Sequence, residues 1–179
     1  MPRRFPTYPA CPVCGDRAIN PAALEVRWFW HPERGRVVGH FVPDGRHTGY
    51  AGIMHGGLLS ALLDECLAWA CAVERRSYCV TGELTVRFKR PAALGDRLEI
   101  SGWSAARWGP YQKAEGEVRA GDGTLLATVT ATFSAMPREQ AEALRGALLF
   151  EPGDLDILAP ADGVGPGTPP SRANRPAGG

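Results

Sequence analysis

Apolar and polar positions alternate through Leu24-Glu-Val-Arg-Trp-Phe-Trp30 and again through Arg36-Val-Val-Gly-His-Phe-Val42. Each run predicts a half-buried β-strand, and Pro43-Asp-Gly ends the second as a turn. Thr48–His55 is a glycine-punctuated loop. From Gly56 to about Glu74 the chain holds strong helix formers and no proline, apolar almost all round, which predicts a helix buried on every side. Four more strands are predicted at Tyr78–Lys89, Arg97–Arg107, Tyr111–Ala120 and Thr124–Ala135, the last two joined by the hairpin signal Gly121-Asp-Gly. A short helix follows at Pro137–Leu148. Hairpin-linked strands around one apolar helix imply an α+β fold, an antiparallel sheet packed on that helix. One sheet and one helix leave an open sheet edge and uncovered apolar surface, which points to a dimer.

The ends differ from this pattern. Residues 1–10 carry three prolines and read as an extended arm, and 11–149 as the folded domain. Residues 150–179 hold six Pro and six Gly and read as a tail, flexible from about Pro160. Twenty Lys+Arg against nineteen Asp+Glu give a net charge of +1, without the basic excess of a nucleic-acid or anionic-membrane binder. Asp64 and Glu65 interrupt the longest apolar run, so it makes a poor membrane span. Met1-Pro-Arg-Arg-Phe-Pro lacks the apolar core of a signal peptide, so a cytoplasmic location is expected. Cys11, Cys14, Cys66, Cys71 and Cys79 then stay thiols.

Candidate chemistry concentrates in Gly49-Tyr-Ala-Gly-Ile-Met-His-Gly-Gly-Leu-Leu-Ser-Ala-Leu-Leu-Asp-Glu65. Gly56 and Gly57 follow His55 where the buried helix begins. A helix start offers unpaired N–H groups and partial positive charge, and glycine lets a ligand approach them. Such a site suits the carbonyl oxygen of a thioester. The same glycines also serve simple helix–sheet packing. Asp64 and Glu65 are carboxylates on an apolar helix, where burial raises a pKa toward that of a neutral-pH base. They point about 100° apart, so one faces the chemistry. Periodicity does not choose between them.

This segment resembles the hotdog-fold acyl-CoA thioesterases of the phenylacetate-pathway type. Cys11-Pro-Val-Cys-Gly-Asp with Asn20-Pro-Ala-Ala-Leu24, and Thr81-Gly-Glu-Leu-Thr-Val-Arg-Phe-Lys-Arg-Pro-Ala92, extend the likeness over about Cys11–Met136. The resemblance implies a hotdog fold, a sheet wrapped around a central helix, in homodimers or dimers of dimers with sites at the subunit interface. It implies that the Gly56 N–H polarises the thioester of an acyl-CoA. Asp64, eight positions after Gly56, becomes the base or nucleophile, and Thr81 helps hold the water. His55 is then an orienting residue, with Gly57 beside the substrate. Arg87, Lys89 and Arg90 could meet a CoA phosphate. The family's Asn or Gln ahead of His-Gly-Gly is replaced by His47-Thr48-Gly49, where His47 or Thr48 could donate a hydrogen bond instead. A non-catalytic acyl-CoA binder and a hotdog dehydratase or hydratase are the alternatives. No cofactor beyond the CoA of the substrate is expected. Nor is a metal: Cys11-x-x-Cys14 lacks a second pair at ribbon spacing.

Overall fold

The computed structural model describes residues 1–159. Within them, nine strands and two α-helices follow the order β1 (Arg3–Arg4), β2 (Trp28–His31), β3 (Arg36–Phe41), β4 (Thr48–Tyr50), β5 (Ile53–Met54), α1 (Gly56–Arg75), β6 (Cys79–Phe88), β7 (Leu98–Trp108), β8 (Tyr111–Arg119), β9 (Leu125–Ala135) and α2 (Arg138–Ala147). Seven strands form one antiparallel sheet in the order β1-β2-β3-β7-β8-β9-β6, and β4 and β5 make a separate small hairpin.

Helix α1 lies across one face of the sheet, against β3, β6, β7, β8 and β9. Leu62, Leu63, Cys66, Leu67 and Cys71 are fully buried in that contact. Glycines in the strands let the helix come close. A Cβ on Gly102 would stand 2.7 Å from Leu67 Cδ2, and one on Gly116 only 2.7 Å from the Ser101 carbonyl. Among the described residues α1 is the one helix long and apolar enough to cross a bilayer, but here it forms the core that the sheet covers.

Strand and helix positions follow the sequence pattern closely, with three differences. The first predicted strand starts late, at Trp28, because Glu25 sits at φ 59 and breaks the extended run. The arm is not only extended but docked: Phe5 is buried and stacks on Trp69 at 4.5 Å, and β1 pairs with β2. The tail begins later than residue 150. Leu155 and Ile157 are buried, the Leu155 N–H donates to the Arg4 carbonyl, and Arg4 pairs with Asp154 at 2.8 Å. Two apolar side chains in a Pro/Gly-rich stretch suffice to dock it. The flexible segment expected from about Pro160 lies outside the described residues.

The sheet has an open end that matters for function. β6 is its last strand, ten residues long, with Val80 and Phe88 more than half exposed. A long unpaired edge with apolar side chains is a ready template for another strand.

Candidate functional site

His55 caps α1. Its Nδ1 accepts the Gly57 N–H at 3.0 Å, and its carbonyl accepts from Leu58 and Leu59. That engages the Gly57 amide. The Gly56 N–H has no acceptor among the described residues, so one free donor stands at the positive end of a twenty-residue helix. The ring of Phe88 covers this position, with its Cζ 3.3 Å from where a Gly56 Cβ would be.

The residues just ahead of the helix are engaged locally. Thr48 Oγ1 donates to the Gly45 carbonyl at 2.8 Å. His47 is buried against Phe41, and its Nδ1 accepts the Asp44 N–H at 2.9 Å. Burial pulls the His47 pKa below its ordinary value, with Asp44 opposing. Thr48 thus spends its hydroxyl proton on Gly45, while the accepting Nδ1 of His47 leaves its proton on Nε2.

Two turns along α1, Asp64 is half-buried and accepts a hydrogen bond from Thr81 Oγ1 at 2.8 Å. A bulge makes this contact possible. Thr81 pairs with Phe133 and Glu83 with Thr132, leaving Gly82 as an extra residue. Without it, Thr81 would share a face with Glu83 and point away from the helix, as period-two alternation requires. With it, Thr81, Leu84, Val86 and Phe88 all face α1. Asp64 and Thr81 line a cleft of about 400 Å³ with Ala61, Ala68, Val80 and Met136.

Strand β6 therefore runs antiparallel to α1, from Thr81 at Asp64 to Phe88 at Gly56. Arg87, Lys89 and Arg90 sit at the Gly56 end. They are exposed and form no salt bridge among the described residues.

Glu65, offset by 100°, borders the same cleft but turns its carboxyl toward the cysteine turn. Its Oε2 lies 3.1 Å from Cys11 Sγ, and desolvation pushes its pKa up to about 8. The burial argument for a raised carboxyl thus applies to Glu65, which sequence spacing alone did not single out. Cys14 lies beside Cys11, and this thiol, with the backbone N–H groups of Cys14 and Val13, draws the Cys11 pKa well below that of an ordinary thiol. Trp108 and Tyr111 are exposed, where β7 ends and β8 begins.

Residues 51–127 match the sequence model of the thioesterase superfamily. The fold superimposes on RHA08564, a thioesterase superfamily protein, with TM-score 0.61 and 27% identity over 70% of this chain and 60% of that one. The fold is the hotdog fold, and residues 51–127 within it resemble the thioesterase superfamily. The E. coli PaaI protein from the phenylacetic acid degradation operon shares the domain's fold, with TM-score 0.54 and 20% identity over 58% of this chain and 75% of PaaI. So does a hypothetical thioesterase of Streptococcus pneumoniae solved with coenzyme A, with TM-score 0.54 and 20% identity over 59% of this chain and 85% of that one. In sequence, the domain is similar to FMP10 of Saccharomyces cerevisiae, an uncharacterized mitochondrial membrane protein, at 25% identity over 128 residues. That match takes in 67% of this chain and 52% of FMP10, so the chain spans about half the length of this relative.

Proposed function

We propose that this chain is an acyl-CoA thioesterase of the phenylacetate-pathway type, cytoplasmic, with active sites shared between two copies. The observation that carries the proposal is the separation of the two functional groups along one helix. Gly56 and Asp64 are eight residues apart, about 12 Å at the α-helical rise. A carbonyl oxygen bound at the Gly56 N–H is out of reach of Asp64 of the same chain. Antiparallel pairing of β6 with β6 of a second copy brings opposite ends of the strand together. Since Thr81 and Asp64 mark one end and Phe88 and Gly56 the other, such a pair joins each Gly56 to a partner carboxylate.

In that shared site the Gly56 N–H and the helix dipole stabilise the oxyanion that forms on the thioester carbonyl. Asp64, held by Thr81, takes a proton from water as it attacks. The tetrahedral intermediate collapses, the C–S bond breaks, and the proton returns to the CoA thiolate. Direct attack by Asp64, forming an anhydride that water then opens, uses the same groups. Arg87, Lys89 and Arg90 sit at the Gly56 end, where CoA phosphates would lie. The reaction asks for no cofactor. The pneumococcal protein solved with coenzyme A has the same fold, which supports an acyl-CoA ligand.

A specific observation favours the non-catalytic binder as the second reading: with the Gly57 amide and the Thr48 hydroxyl engaged locally, Gly56 is left as the one free backbone donor at the helix start among the described residues. A panel of acyl-CoA substrates followed by thiol detection separates the two. Steady CoA release supports hydrolysis; saturable binding without turnover overturns it in favour of the binder. Sedimentation is the companion test, since a stable monomer at micromolar concentration removes the shared site.

A further inference from the structure

We propose that Cys11, Cys14 and Glu65 form a binding site for a thiophilic divalent cation of the zinc class, distinct from the Gly56 and Asp64 groups. The two Sγ atoms and a Glu65 carboxylate oxygen all lie within 4.8 Å of one another. Tetrahedral zinc, with bonds of about 2.3 Å to sulfur and about 2.0–2.2 Å to oxygen, holds such atoms roughly 3.5–4 Å apart. Small side-chain shifts reach that spacing.

The turn that carries the thiols is built to hold a thiolate. In Cys11-Pro-Val-Cys-Gly15 the backbone N–H groups of Val13 and Cys14 both point at Cys11 Sγ, at 3.3 and 3.4 Å. The Gly15 N–H donates to the Cys11 carbonyl at 3.0 Å, closing the turn. A Cβ on Gly15 would stand 2.2 Å from that carbonyl oxygen, so no other residue fits there. Asn20 Nδ2 ties the flanking chain to the Ala10 carbonyl, and Arg27 Nη1 holds the Cys14 carbonyl at 2.8 Å.

Glu65 supplies the second line of argument. Its carboxyl is largely buried, and no cationic side chain pairs with it among the described residues. A buried carboxyl either holds its proton or takes a partner of opposite charge. A divalent cation between it and the two sulfurs provides one. Sequence spacing missed the site because its third donor comes from α1, more than fifty residues away. The fourth position opens on a cavity of about 180 Å³ lined by Tyr8, Trp69, Tyr78 and Cys79, where water or a ligand atom would complete the tetrahedron.

The test uses the full chain, purified from zinc-supplemented medium and washed with a weak chelator, with metal content as its readout independent of any hydrolysis. About one zinc per chain is expected. Cobalt should give the intense visible bands of a tetrahedral site and a thiolate charge-transfer band in the near ultraviolet. Cys14→Ser should abolish that band. Glu65→Gln, read by competition with a chromophoric chelator, should weaken zinc at least about tenfold, the lower end of what even an outer-shell partner is worth. Cys79→Ser, from the same cavity wall, should keep the ion. If Cys14→Ser fails to fold, the wild-type cobalt spectrum and Glu65→Gln decide. The proposal is overturned by substoichiometric zinc, by a weak octahedral cobalt spectrum, or by zinc retained in both ligand variants. A Cys11–Cys14 disulfide that shows no zinc affinity once reduced also overturns it.

Discussion

If each site takes its oxyanion donor from one chain and its carboxylate from another, two differently inactivated chains should rescue each other. The first variant is Gly56→Pro. Gly56 is the first residue of α1, where proline is well tolerated and its lost N–H has no intrahelical partner. His55 has φ −64 and ψ 127, the extended region that a residue before proline prefers. The substitution thus removes the donor and leaves the helix start in place. Losing one oxyanion donor costs about 10²–10³ in turnover. Gly56→Ala is the steric control: it keeps the N–H but puts a Cβ 3.3 Å from Phe88 Cζ, a crowding that a half-exposed ring can relieve. The second variant is Asp64→Asn. Its amide oxygen still accepts from Thr81, so the fold should hold, while loss of the base lowers turnover about 10²–10⁴-fold, or about 3–5 kcal/mol. A mixed dimer contains one site with both groups intact and one with neither. Random exchange makes half the dimers mixed, so equimolar mixing should recover about a quarter of wild-type activity. The assay is CoA release before and after subunit exchange, with exchange verified by tagged chains. Exchange without recovery would place both groups in one chain and refute the 12 Å argument.

Three further outcomes follow from the packing. Thr81→Val removes the hydroxyl bonded to Asp64 at 2.8 Å, and since bonds to charged groups are worth about 1.5–3 kcal/mol, kcat should fall about 10–100-fold with KM little changed; in the Asp64→Asn background it should add little, and full additivity would show that Thr81 acts elsewhere. Leu155→Ala opens a cavity at a fully buried site and should cost about 2–5 kcal/mol, lowering Tm by roughly 5–20 °C; an unchanged Tm would mean that residues 150–159 do not dock. His47 has its pKa lowered by burial, so the unfolded chain protonates first: the stability that His47 contributes should fall as pH drops below about 6.5 and go on falling to the folded pKa. Glu65, with its raised pKa, contributes with the opposite sign over the same range, so the readout is the difference between wild type and His47→Asn in chemical denaturation from pH 8 to 5: the wild-type advantage should shrink as pH falls, and parallel curves would refute it.

The central helix, the strand order along the chain and the free Gly56 amide were legible because each rests on a local signal: an apolar run, an alternation, a cap followed by two glycines. The Thr81–Asp64 pair was legible only through resemblance. Plain alternation along Thr81–Phe88 puts Thr81 on the face opposite Leu84 and Val86, and the extra residue at Gly82 reverses this. A glycine inside a strand is the one local hint of such a bulge. The docking of Phe5 and of Leu155 was hidden because it depends on contacts between the two ends of the chain. Composition registers the prolines and glycines around those residues but not the partners they find.

The adjacent acids show how one helix can serve two separate chemistries. Asp64 and Glu65 differ by 100° around α1, which is enough to send one toward β6 and the other toward the cysteine turn. Their surroundings then divide them. Asp64 meets a hydroxyl at a cleft open to substrate, where a carboxylate is held in place to act as a base. Glu65 meets two thiols in an apolar pocket, where a lone negative charge is costly and a cation is the natural partner. Exchanging the two residue types would not exchange the roles. Asp64→Glu would press an extra methylene against Thr81, and Glu65→Asp would draw the carboxylate back from Cys11. The Asp-Glu order is therefore a geometric requirement of the two neighbours, a hydroxyl on a bulged edge strand and a thiol turn that the shorter acid does not reach.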